Sequence, residues 1–275
     1  MENVTLDKVK HLELKILKYV DEICSKNNIK YYLIGGTLLG AIRHRGFIPW
    51  DDDIDIVMFR EDYNKFIELT NNRSDVYFIQ NFMTDSSYTR YITKIRLNGT
   101  SFVEKGVKDL SMHHGIFIDI FPLDKIIPHN EKQIENQIKL AQKFIRLQQI
   151  KAGKVKGRGN LRTKRNKLVQ LLLKIIPSKM IGKIIDRIYG MQNNKPTQYV
   201  TNFSSQYGWR KQTFPIDVYG EGTYLEFEGH QFMAPAKWEV ILKSLYGDYM
   251  KLPPEEKRNS GHDVVHIDLG KYAEN

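Results

Sequence analysis

The sequence predicts an α/β fold: a mixed sheet, helices on its faces, and a helical insertion at about 130–196. Three observations predict it. Short segments such as 53–57 and 91–97 alternate in pairs, the period of a strand whose successive side chains face opposite sides. Around them, apolar residues recur at spacings of three and four, the period of a helix with one buried face. From 130 to 190 the patterning is helical throughout, interrupted only by a glycine-rich break and a proline.

Thr5 is the expected cap of a first helix over 5–26, with Asp7 favourable in its first turn. Val9, Leu12, Ile16, Val20 and Ile23 form its apolar stripe, and Cys24 falls on the inward side as a small core residue. A short strand at 31–34 runs into Gly35-Gly36, then a short helix at 37–41 and a turn closed by Pro49. The carboxylate run Asp51-Asp52-Asp53 leads into an extended segment. There Asp53 and Asp55 share one face, while Ile54 and Ile56 face a core. A helix is expected over 62–69 and strands over 77–81 and 91–97. In the second strand Ile92, Lys94 and Arg96 share a face. Asn98-Gly99 is a hairpin-type turn that should fold 100–104 back onto that strand. The run Gly-Ile-Phe-Ile-Asp-Ile-Phe, 115–121, reads as a further strand closed by Pro122, with Asp119 its lone acid. Helices follow over 130–150 and 161–190, separated by a polar loop at 151–160 and broken at Pro177-Ser178. A strand at 223–227, a turn at Gly229-His230, a helix at 235–246 and a polar tail from Pro253 complete the chain. The expected division is a catalytic core at 1–129, a basic helical insertion at 130–196, and a part at 197–275 that completes the catalytic domain.

With 275 residues, 41% apolar and 27% charged, the composition is that of a soluble globular protein. No apolar run is long enough to span a bilayer, and MENVTLDKVK has no signal-peptide core, so a cytoplasmic protein is expected. A single cysteine excludes an internal disulfide and a cysteine-based zinc site. The net charge is +10. Residues 151–187 hold 12 Lys/Arg against one acid, Asp186, for a net +11, which leaves the rest at −1. The chain is a nearly neutral body with one basic block. That block contains no aromatic residue to stack on bases, so no nucleic acid is expected. Its basic residues alternate with Leu and Ile, which suits peripheral contact with an anionic membrane at its inner face, or else a packed helical hairpin with a solvated face.

A Gly-Gly pair or an Asp-x-Asp alone says little. Together, a strand, Gly35-Gly36, a helix, Asp53-x-Asp55 in an apolar frame and the isolated Asp119 are the parts of a metal-dependent phosphoryl-transfer site. Carboxylates on one face repel unless a cation lies between them, and Mg²⁺ (or Mn²⁺) favours carboxylate and phosphate oxygens. An unpaired buried acid such as Asp119 likewise needs a partner. Gly35 and Gly36 let backbone N–H groups approach a phosphate. Lys94 and Arg96 are candidates for phosphate oxygens, against a solvated edge strand; Arg43, beside His44, is another, against plain exposure. His114, with His113, is a candidate for positioning the acceptor, against a polar turn. His262 and His266 have the spacing of a metal pair only if that segment is helical, and they lack a third ligand.

The stretch GGTLLGAIRHRGFIPWDDDIDI resembles the LicD family, related to the fukutin-related proteins within the nucleotidyltransferase superfamily. The resemblance continues in YITKIRL with Thr100, in GIFIDIFPL at 115–123, in FEG at 227–229 and in LYGDYMKLP at 245–253. It implies a nucleotidyltransferase-like core and metal binding by Asp53, Asp55 and Asp119, with Asp51 at a further acidic position of the motif. It implies transfer of a phosphorylated alcohol, typically phosphocholine from CDP-choline, onto a sugar hydroxyl of a cell-surface glycan or teichoic-acid precursor, here a lipid-linked acceptor. The zinc-binding cysteines of the animal relatives are absent, so no zinc is carried over. Quaternary ammonium groups favour aromatic faces, which makes Trp50, next to the carboxylates, the first choline candidate, ahead of Tyr88, Tyr91, Tyr207 and Trp209. Two other readings share the same residues: a nucleotidyltransferase acting on a small phosphate or an RNA end, and a non-catalytic membrane or glycan-binding scaffold.

Overall fold

The structure, a computed structural model, describes residues 3–71, 74–155, 160–259 and 261–273. It is an α/β fold on a mixed sheet. Helix α1 (Asn3–Asn27) leads to strand β1 (Tyr32–Leu33), helix α2 (Gly35–His44), strand β2 (Asp55–Phe59) and helix α3 (Arg60–Thr70). Strands β3 (Tyr77–Gln80), β4 (Thr93–Leu97), β5 (Ser101–Glu104) and β6 (Phe117–Lys125) follow. Three helices come next: α4 (Glu131–Lys151), α5 (Asn160–Leu173) and α6 (Ser178–Tyr189). The chain ends with β7 (Tyr199–Thr201), β8 (Thr213–Pro215), α7 (Ile216–Tyr219), β9 (Thr223–Phe227), β10 (His230–Ala234), α8 (Trp238–Tyr246) and β11 (Val264–Asp268).

The main sheet runs β1-β2-β6-β4-β3. Its central strand, β6, pairs parallel with β2 and antiparallel with β4, and its far end takes on β7 and β8. Ile54, Ile56, Ile95, Ile118 and Ile120 are wholly buried, as alternation on a covered sheet requires. Helix α1 lies against β4 and β6, with Val9, Ile16, Leu17 and Val20 sealed from solvent and Cys24 among them. A second apolar cluster seats α4 and α6 on residues 82–92: Ala141, Ile181, Ile185 and Ile188 pack with Phe82, Tyr88 and Ile92. Arg60, at the end of β2, binds Asp124 of β6 at 2.7 Å and Asp186 of α6 at 3.1 Å, tying sheet to helices.

Several sequence expectations are corrected. Thr5 does not cap α1, because the helix already includes Asn3. Helix α2 starts at Gly35 and runs to His44, where Arg45 adopts a left-handed conformation and stops it. The hairpin at Asn98-Gly99 does not form. Both edges of β4 are taken by β3 and β6, so β5 pairs instead with β11 from the expected polar tail. Strand β6 is not closed by Pro122: its ladder with β4 stops at Ile120, and the proline sits where that edge is open. The β9–β10 turn is Glu228-Gly229, both at positive φ, one residue before the expected position. Strand β4 is interior, not an edge. Residues 156–159 of the expected loop lie outside the described residues.

Candidate active site

The sheet register builds the centre of the site. Asp55 of β2 is the direct neighbour of Asp119 of β6, and Asp119 is the direct neighbour of Lys94 of β4. Residues paired across neighbouring strands project to the same face, so two acids and a lysine stand in one row. Lys94 Nζ donates to Asp119 Oδ1 at 2.6 Å. Burial pulls the lysine down to about 8, and the charge of Asp119 opposes that pull. The amide of Asp55 donates to Thr37 Oγ1 at 2.8 Å, which anchors the start of β2 to α2. The glycines make room for carboxylates. A Cβ on Gly36 would come 2.3 Å from Asp51 Oδ2, and one on Gly35, whose φ is +60°, would come 3.0 Å from Asp55 Oδ2. No side chain caps the N-terminus of α2.

Carboxylate oxygens of Asp51, Asp52 and Asp53 lie within 4.8 Å of one another. Burial, followed by repulsion from neighbouring acids, pushes Asp51 up to about 6 and Asp53 up to about 7. Asp55 is raised well above the usual carboxylate range for the same reasons: burial, then Asp53 and Asp119. Asp52 is fully buried. Its Oδ1 is 3.0 Å from His262 Nδ1, and its Oδ2 has no hydrogen-bond partner among the described residues. His262 Nε2 is 3.9 Å from Asp53 Oδ2. Burial opposes the charged imidazole, but the bond to Asp52 and the charge of Asp53 prevail and raise it above its ordinary value. The protein's own cations therefore leave these acids short of neutral. Asp51, Asp52 and Asp53 are the acids whose ligand atoms come together, and Asp53 shares the cavity wall with Asp55 and Asp119; such carboxylate oxygens could hold a hard divalent cation.

Asp53, Asp55, Asp119 and Gly35 open onto a cavity of about 650 Å³. Its walls include Arg90, Tyr91 and Phe121, then Gln142, Ile145 and Gln149 of α4, then the segment 202–207 and His262. That volume is ordinary for a small-molecule site. Of the aromatic candidates, Tyr91 and Tyr207 line the cavity. Trp50 does not line it; it packs against His44, under the Arg258 guanidinium. Tyr88 is buried beside Phe82, and Trp209 lies under Arg210. Arg96 is buried and bonds Gln80 Oε1 and the Gly115 carbonyl. Arg43 donates to the Tyr249 carbonyl, and His114 Nε2 contacts the Leu110 carbonyl, so neither reaches the cavity wall. His113 stacks on Phe78. His262 and His266 are not a helical metal pair, because His266 lies on β11 and is exposed.

Arg90 and Glu13 escape a reading of the sequence, and His262 has a partner that its spacing does not suggest. Arg90 lines the cavity and binds Glu104 at 2.5 Å; a basic residue beside Tyr91 was its only signal. Glu13 is buried behind the acid cluster with both oxygens unpartnered among the described residues. Burial, then Asp53, Asp52 and Asp51, raise its carboxyl far above normal. It shares the inward stripe of Leu17, Val20 and Cys24, where an acid is out of place. The sequence sets His262 near His266; its adjacency to Asp52 is tertiary.

An acid row on adjacent strands, an uncapped helix N-terminus and a cavity with aromatic walls suit chemistry on a phosphate ester. The comparisons agree with that arrangement. The family model described as LicD/FKTN/FKRP, nucleotidyltransferase domain, matches residues 28–151. The lipopolysaccharide cholinephosphotransferase LicD of Haemophilus influenzae is 34% identical over 269 residues, covering 95% of this chain and 97% of that protein. The ribitol 5-phosphate transferase FKRP of Homo sapiens is 44% identical over 45 residues, 16% of this chain and 9% of that one. Similarity that runs nearly end to end with the first relative, together with the match over the glycine and carboxylate segments, means that the chain belongs to the LicD family.

Proposed function

We propose that the protein transfers phosphocholine from CDP-choline to a sugar hydroxyl of a lipid-linked precursor of a cell-surface glycan, using Mg²⁺ or Mn²⁺ held by Asp53, Asp55 and Asp119, with Asp51 flanking. The observation that carries it is the side-by-side placement of Asp55 and Asp119 across the β2–β6 pair, facing the cavity. The full-length likeness to a cholinephosphotransferase supports the choice of alcohol. When bound, the cation would offset charge on the phosphate oxygens of the donor.

The chain's own residues do the rest. The start of α2, with Gly35 on the cavity wall, would offer backbone N–H groups and the positive end of the helix dipole to a phosphate of the donor. Arg90, on the cavity wall, adds a fixed positive charge near the same acids. Lys94 holds Asp119 in place from the neighbouring strand. Tyr91, Phe121 and Tyr207 present aromatic faces of the kind that hold a quaternary ammonium. In the reaction the acceptor oxygen bonds to the phosphorus of phosphocholine. The bond from that phosphorus to the CMP oxygen breaks, CMP leaves with the electron pair, and the hydroxyl proton passes to a carboxylate of the cluster. No helix among the described residues is long and apolar enough to cross a membrane. In this reading, a lipid-linked acceptor is met by peripheral contact with the inner membrane face.

The test is incubation with CDP-choline, CDP-ribitol and CDP-glycerol plus Mg²⁺, following CMP. CDP-choline should be turned over best, and Asp53→Asn should lower the rate by roughly 10³-fold. Release of pyrophosphate from a nucleoside triphosphate would favour a nucleotidyltransferase. Folded protein that turns over none of the three donors would overturn the proposal.

A further inference from the structure

Helix α5 buries Leu173 on its protein side but carries a second apolar stripe that faces outward. Leu168, Leu171, Leu172 and Ile175 recur at three, one and three, so they form one stripe along the helix and the turn that follows it. They are 59, 59, 60 and 84% exposed. The opposite side faces the protein with a mixture of groups: Leu173 is buried, Asn166 is buried and donates to the Val155 carbonyl, and Gln170 donates to the Lys151 carbonyl on α4. The neighbouring helix, α6, is built the usual way, with Ile181, Ile185 and Ile188 buried and Lys179, Lys183 and Arg187 outside. The exposed apolar stripe is therefore particular to α5 and not a trait of the insertion.

The stripe is bordered by exposed basic side chains: Arg165, Lys167 and Lys174 on α5 and its turn, and Lys179 at the start of α6. Met180, 46% exposed, continues the apolar surface toward α6. An outward apolar stripe with a cationic border matches a bilayer surface: side chains enter the acyl boundary while lysines and arginines meet anionic headgroups. A second copy of this chain is the poorer fit, because a two-fold contact would set the basic border against its own like.

We propose that α5 is a docking face for an anionic lipid bilayer, with Leu168, Leu171, Leu172 and Ile175 inserted and the flanking basic side chains on the headgroups. It uses none of the residues that line the cavity, and it does not rest on the identity of the donor. Helix α5 packs on α4, whose Gln142, Ile145 and Gln149 form one cavity wall, so docking would hold the cavity close to the bilayer.

Sedimentation with vesicles tests it. One set is phosphatidylcholine alone; the other is three parts phosphatidylcholine to one part phosphatidylglycerol. The full chain should pellet with the anionic set and release at high salt. Leu171→Glu/Leu172→Glu should bind at least about tenfold more weakly. Lys167→Glu/Lys174→Glu alters only exposed side chains and should weaken binding by about fivefold or more per residue. Both variants should keep the wild-type melting temperature. The proposal is overturned if wild type stays in the supernatant with both vesicle types, or if both variants bind as wild type does. It is equally overturned if wild type is a dimer that Leu171→Glu/Leu172→Glu converts to a monomer without any vesicle binding, for then a second copy covers the face. No donor is present in the assay, so its failure is separate from failure of CMP release.

Discussion

At Gly36 a single methyl group would decide the geometry of the acids. Its carbon would come 2.3 Å from Asp51 Oδ2, well inside contact distance, so the carboxylate must swing away. Gly36 lies inside α2 with no positive φ, and alanine is the better helix former there. Gly36→Ala should therefore leave the melting temperature unchanged or slightly higher while weakening Mn²⁺ binding by roughly 10–100-fold, as displaced supporting groups do. Isothermal titration checks it; equal affinity in both proteins would show that Asp51 plays no part in holding the cation. Lys94 and Arg96 show how neighbours on one strand face diverge. The first reaches an acid of the site, while the second is absorbed by Gln80 and a backbone carbonyl.

Among the elements, β6 does most to assemble the molecule. It places Asp119 beside Asp55 at one end and Asp124 beneath Arg60 at the other. The Arg60 side chain, 11% exposed, also reaches Asp186 and Tyr91, so α3, β6 and α6 meet on one guanidinium. Arg60→Met would leave Asp124 buried with only Asn193 as a side-chain partner among the described residues. Removing one partner of a buried pair costs about 3–5 kcal/mol. For a chain of this length that is a fall in melting temperature of roughly 6–15 °C, readable by calorimetry. A fall under about 2 °C would mean that water replaces the guanidinium without penalty. The β5–β11 pair has a different job: it brings His262, just before β11, onto Asp52.

For the whole molecule, the acid cluster links stability to pH and, under the proposed function, to metal. Asp51 and Asp53 have folded values near 6 and 7, above those of an unfolded chain. Groups raised in this way favour the folded state fully below about pH 4 and lose that contribution as pH rises through 6 to 7. Without divalent cations the melting temperature should therefore decline between pH 5.5 and about 8. Mg²⁺ or Mn²⁺ needs the ionised carboxylates, so it should raise the melting temperature more at pH 8 than at about pH 6. Calorimetry with chelator and with metal at both pH values checks the sign; an equal shift at the two would remove these acids from the cation site. The cavity itself belongs to no single segment. Its walls come from the starts of β2 and β6, from residues 89–92, from α4, and from residues 202–207, 212 and 261–262.

Much of this protein is legible in its sequence, and the physical reason is locality. Alternation within 53–57 and 115–121 depends only on the strand period, so the facing of Asp53 and Asp55 and the oddity of Asp119 can be read directly. The amphipathic periods of α1, α4 and α6 are local in the same sense. Motif resemblance reaches the family, because the residues around the acids are contiguous. What the sequence could not decide is pairing over distance. Nothing local says that β4 has both edges occupied, so the Asn98-Gly99 turn looks like a hairpin although β5 crosses to β11. Nothing local aligns Asp55 with Asp119 and Lys94 in one row, brings His262 onto Asp52, or leaves Trp50 off the cavity wall while Tyr207 lines it. Those outcomes depend on which strand edges remain free and on how the later segments close over the sheet, and only the tertiary structure decided them.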